Sequence, residues 1–136
     1  MAKVNYSNAL AAEYRRLYKA CEIKPERFDV IDNIVTEILE HKSRYESVAD
    51  ALGLPWYLVA AIHSMESGLD FERHLHNGDP LRFRTIHIPA GRPKRGNPPF
   101  TWEESAIDAL KLRNLNRVKE WTLPRVLYEL EGYNGW

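Results

Sequence analysis

The chain is poor in cysteine, in net charge and in long apolar runs. Cys21 stands alone among 136 residues, so no internal disulfide can form and the fold must rest on its packed interior. No activating neighbour stands beside Cys21 in the sequence, which makes it an expected core residue rather than a nucleophile. Nineteen basic side chains balance nineteen acidic ones. That balance excludes a global field drawing the protein onto nucleic acid, and no nucleic-acid partner is expected. No stretch reaches the roughly 20 apolar residues of a membrane span. The opening segment, Met1 to Ser7, has no apolar signal core. These absences predict a monomeric protein made in the cytoplasm without a signal peptide, reaching any extracellular target by release or export.

Helical periodicity fills most of the rest. Ser7 is a natural cap for a helix carrying Leu10, Tyr14, Leu17, Tyr18 and Cys21 on one side. Phe28, Ile31, Ile34, Val35 and Ile38 form the inner stripe of a second helix. Ser43 and Glu46 have capping-box spacing ahead of Tyr45, Val48, Ala49 and Leu52, with Gly53 as the stop. Thr101 and Glu104 repeat that spacing before Ile107 and Leu110. Thr122 and Pro124 open a last helix through Val126, Leu127 and Leu130, which Gly132 ends. Between Leu75 and Phe100 the period disappears into Gly, Pro, Arg and His. There Asn77-Gly78 predicts a tight turn, and Leu81 to Ile88 predicts a small strand or hairpin.

Leu54 to Leu69 is the most informative stretch. Pro55 suits the first position of a helix. Trp56, Val59, Ala60, Ile62 and His63 then recur on one face, and Glu66 falls on that face before Gly68 stops the helix. Partial burial and the carbonyls of the helix terminus both disfavour a charged Glu66, which suits a general acid. Thirteen residues later, Asp79 precedes Pro80 on a polar turn expected to leave it solvated and ionised. Two carboxyl groups pushed apart in this way are the means by which glycosidic bonds are cleaved.

The segment Ala60-Ala61-Ile62-His63-Ser64-Met65-Glu66-Ser67-Gly68-Leu69 resembles the catalytic helix of the lysozyme superfamily, especially goose-type lysozymes and lytic transglycosylases. There a Glu-Ser pair ends an apolar helix. Tyr133-Asn134-Gly135 resembles the Tyr-Asn motif of the same families, and the six-residue step from Asp79 to Thr85 is similar to phage-type lysozymes. The resemblance implies that Glu66 is the acid, that Asp79 and Thr85 hold the hydrolytic water, and that Ser67, Tyr133 and Asn134 orient sugar and acid. His63, Arg84 and Trp136 complete the expected substrate contacts. Lytic transglycosylases typically lack a second catalytic carboxylate, so Asp79 favours hydrolysis over ring closure.

The expectation is therefore a mainly α (α+β) chain forming one lysozyme-like domain with a small β-hairpin lobe beside the cleft. Residues 1–53 are helical scaffold, 54–76 the catalytic helix and following loop, 77–100 the hairpin lobe, and 101–136 the C-terminal helices. The expected activity is that of an N-acetylmuramidase cleaving the β-1,4 MurNAc–GlcNAc bond of bacterial peptidoglycan, with no cofactor. The alternatives are a lytic transglycosylase, a metal-dependent peptidase or amidase, and a nucleic-acid-binding module using the basic loop. For the metal-dependent case, His74, His76 and Asp79 with His63 and Glu66 are the candidate zinc ligands, although no full zinc motif is present.

Overall fold

The computed structural model describes residues 3–135, and all of its regular structure there is helical. In order these are α1 (Asn8–Ala20), α2 (Phe28–Glu40), α3 (Lys42–Leu52), α4 (Trp56–Ser67), α5 (Trp102–Leu112) and α6 (Leu123–Tyr133), with 3₁₀ turns at Pro25–Arg27 and Leu115–Arg117. The chain sorts into two compact units, Met1–Glu40 with Lys119–Trp136, and His41–Val118.

In the first unit α1 packs on α6. Ser7 caps α1 by accepting the Leu10 N–H at 3.1 Å. Tyr128 donates its hydroxyl to the Val4 carbonyl at 2.6 Å, and Arg125 lies over the rings of Tyr6 and Tyr128. Tyr14 donates to the Glu131 carboxylate, and burial together with that acceptor pushes the Tyr14 hydroxyl far above its usual pKa. Cys21 does not reach a core: it caps the C-terminal end of α1 in extended backbone and is exposed. α6 runs through Gly132 to Tyr133 rather than stopping at the glycine.

The second unit has an aromatic centre. α3 packs on both α4 and α5. Tyr45, His63, Phe71 and Trp102 bring their rings together at centroid distances of 4.6 to 5.8 Å. Arg44 covers Phe71 at 4.0 Å while its guanidinium grips Glu103 at 2.6 and 3.2 Å. Ser43 and Glu46 do not make the expected capping box. α3 begins at Lys42 after an uncapping His41, and Glu46 instead meets Lys42 at 3.5 Å. The second box does form: Thr101 accepts the Glu104 N–H and Glu104 accepts the Thr101 N–H, at 3.1 and 2.8 Å. Thr101→Ala should lower stability by about 1 kcal/mol, readable as a shifted urea midpoint with unchanged slope.

The expected β-hairpin lobe is absent among the described residues. Between Leu69 and Thr101 the pairing is one isolated antiparallel bridge, Arg73 with Pro80. The reason lies in where the backbone groups go. Asp79 accepts the N–H groups of Ile86 and His87, Asn77 donates to the His87 carbonyl, and Thr85 serves both Arg92 and Pro89. Side chains that bind nearby backbone compete with a ladder, and Pro80, Pro89 and Pro93 have no N–H to offer one. The β-branched residues read as strand-forming sit instead in a loop stapled from within.

Candidate active site

α4 is a helix because Leu58, Val59, Ala60, Ile62 and His63 form a wholly buried face. It ends where Gly68 adopts a left-handed conformation at φ 58°, its N–H turning back to the His63 and Ser64 carbonyls. Pro55 stands just outside the helix as its N-cap. This geometry holds Glu66 in the last turn, half-buried, and it makes no hydrogen bond to a described residue. Burial pushes its carboxyl above the usual range, and the positive charge of Arg113 partly offsets that rise. Ser67, beside it, turns its hydroxyl back to the His63 carbonyl at 3.4 Å.

His63 lies in the core. Its Nδ1 accepts from the Tyr45 hydroxyl at 2.9 Å, and its Nε2–H donates to the Asp70 carbonyl at 3.1 Å. Burial holds its pKa down, against the pull of Asp70. Both nitrogens of this fully buried ring are committed, so it orients the end of α4 from behind.

Asp79 departs from the solvated turn expected of it. Only 8% of the residue is exposed. Its Oδ2 accepts Ile86 N–H at 2.8 Å and His87 N–H at 2.9 Å, and its Oδ1 lies 2.7 Å from His87 Nδ1. Burial alone would raise its pKa. The His87 side chain, the two backbone donors and the His87 charge together outweigh burial and hold the carboxyl well below the ordinary carboxylate range. Asp79 is thus ionised, as expected, but through hydrogen bonds rather than solvent. Thr85, also buried, donates to the Pro89 carbonyl at 2.5 Å and accepts the Arg92 N–H at 2.8 Å.

Arg84 lies over the Phe100 ring with its guanidinium bonded to the Pro93 and Gly96 carbonyls, so it fastens the loop to itself. Tyr133 is the buried last residue of α6, and Asn134 is its exposed C-cap. Trp136 lies outside the described residues. Glu66, Ser67 and His63 therefore share α4, Asp79 and Thr85 share one loop, and Tyr133 and Asn134 belong to the other compact unit.

Sequence reasoning missed a second, part-buried polar group beside that loop. His76 donates from Nε2 to Asp108 at 2.7 Å, and Arg92 clamps the same carboxylate at 3.0 and 2.6 Å. His74 donates to the Phe83 carbonyl at 2.6 Å and accepts from the buried Ser105 hydroxyl at 2.8 Å. Burial lowers the pKa of His76, and its Nδ1 has no hydrogen-bond partner among the described residues. Asp108 follows Glu104 by one turn in an unremarkable helical pattern, which gave no signal of a partner 32 residues earlier. Among the described residues no group of three or more His, Cys, Asp or Glu side chains converges as a metal ligand set.

Comparison with protein-family models, with curated proteins and with solved structures gives no match.

Proposed function

We propose that the protein cleaves the glycan strands of bacterial peptidoglycan at the β-1,4 MurNAc–GlcNAc bond, with Glu66 as the general acid. The supporting observation is the environment of Glu66: half-buried at the carbonyl end of an apolar helix, free of hydrogen bonds to described residues, and shifted toward its protonated form. Such a carboxyl keeps its proton to higher pH than a solvated glutamate does and can deliver it to a leaving glycosidic oxygen. The lysozyme-like reading of the fold belongs to this proposal, supported by the mainly helical architecture and by the Glu66-Ser67 and Tyr133-Asn134 pairs. In this reading Ser67 orients the substrate beside Glu66, His63 fixes the end of α4 from the core, and Arg84 shapes the wall of the loop.

The second carboxylate works through charge. An acid held far below its usual pKa is a poor base, and Asp79 already accepts three hydrogen bonds. Its negative charge suits stabilising the oxocarbenium-like centre, with Thr85 keeping the loop in place and water supplied alongside it. The same observation favours a second reading, in which the muramyl 6-hydroxyl attacks in place of water and the enzyme is a lytic transglycosylase. Mass spectrometry of digests of purified cell walls separates the two. Reducing muramyl ends are the expected product; anhydromuramyl ends would establish the second reading, and intact glycan strands would remove both.

A further inference from the structure

We propose that the chain pairs with a second copy of itself through α1 and α2, the acidic α2 of each copy lying on the basic α1 of the other. The starting observation is that α2 buries no residue. Phe28, Val30, Val35 and Leu39 are exposed, and Ile31, Ile34 and Ile38 are only half-buried. α2 has no substantial packing partner among the described residues beyond the 3₁₀ turn before it. A helix of 13 residues is marginal in water without a covered apolar face. Within the exposed part, Phe28, Asp32, Val35 and Leu39 follow a four-three-four spacing, the seam of a helix that packs against another, with one polar residue in it.

α1 presents a similar remainder. Its Ala11 side packs on α6, while Leu17 and Tyr18 stay exposed, followed by exposed Cys21 and Ile23. Extended backbone at Cys21 and Lys24 separates the two helices, and α1 and α2 do not close on each other as a hairpin. More than half of the large apolar side chains exposed among the described residues precede Glu40. Isolated apolar side chains on a surface need no explanation; a concentration of them does.

Charge identifies the occupant. α2 carries Asp29, Asp32, Glu37 and Glu40 and no basic residue, whereas the span 8–27 carries Arg15, Arg16, Lys19, Lys24 and Arg27 against Glu13, Glu22 and Glu26. None of the four α2 acids or the five cations of the span 8–27 has an ion-pair partner among the described residues. Glu37 and Glu40 sit at the negative end of the α2 dipole with no basic residue in its last turn. Pairing α2 with α2 would set acid against acid. Pairing α2 with α1 of a second copy sets acid against base twice, and one two-fold axis satisfies both contacts. This association replaces the monomer expected from composition and does not depend on the chemistry at Glu66.

Light scattering on the full chain after size exclusion tests it. The expected mass is twice the chain mass of 15.9 kDa, falling toward the single mass as salt rises. Phe28→Ala with Val35→Asp should give the single mass with unchanged helical circular dichroism, since both side chains are already exposed. Asp32→Lys with Glu40→Lys should weaken the pair by at least about ten-fold, and adding Arg15→Glu, Arg16→Glu and Lys19→Glu should restore it. A wild-type chain that stays single at the highest soluble concentration overturns the proposal. So does a pair that survives the Phe28 and Val35 changes, or a charge swap that fails to restore association.

Discussion

Glu66→Gln should reduce cleavage of purified peptidoglycan by about 10²–10⁴-fold, the usual contribution of a general acid, while leaving the fold intact. The amide has nearly the same shape and cannot lend a proton. Its effect on stability has a definite sign. Because burial raises the folded-state pKa of Glu66 above its unfolded value, the folded state binds that proton more tightly. The stabilisation is full below the unfolded pKa of about 4.3 and disappears as pH rises through the folded value. At neutral pH the wild-type carboxyl is the less comfortable occupant, and the amide should leave the melting temperature equal or slightly higher. Dye release from labelled cell walls and thermal denaturation measured on the same sample check both parts. Retained cleavage would remove Glu66 from the mechanism.

Asp79→Ala should be the most destabilising change in the loop, by about 3 kcal/mol or more. Hydrogen bonds to a charged group are each worth about 1.5–3 kcal/mol, and the change leaves two backbone donors without their acceptor. Here the folded pKa lies below the unfolded one, so the sign is opposite to that of Glu66. The stability from Asp79 is present above the unfolded pKa of about 3.9 and is lost as pH falls toward the folded value. Wild-type stability should therefore decline steeply below about pH 4, and Asp79→Ala should flatten that part of the curve. Urea denaturation at a series of pH values reads both. An unchanged acid limb would mean that Asp79 is not what holds residues 79–92 together.

The helices were legible where local chemistry decides them. Ser7, Thr101 with Glu104, and Gly68 mark ends in the sequence and mark them in the structure. Spacing also placed Glu66 on the buried side of α4, because a period of 3.6 residues carries direction as well as helix type. It failed for Cys21 and α2, where an apolar stripe says which face wants cover without saying whether the same chain supplies it. It failed again for residues 77–100. β-branched residues there suggested strands, but the outcome turned on Asp79, Asn77 and Thr85 reaching backbone groups up to ten residues away. The His76–Asp108–Arg92 group joins positions too distant in the chain for any local pattern to reveal.

That internally stapled loop bears on how the protein behaves at high concentration. Ile86 and Ile88 are 70% and 91% exposed on either side of His87, in a segment whose β-branched residues suit an extended strand. With the amides of Ile86 and His87 already held by a carboxylate, no open strand margin is offered there for an incoming chain to extend. The same carboxylate that organises the loop thereby withholds these two amides from any strand that would pair with it.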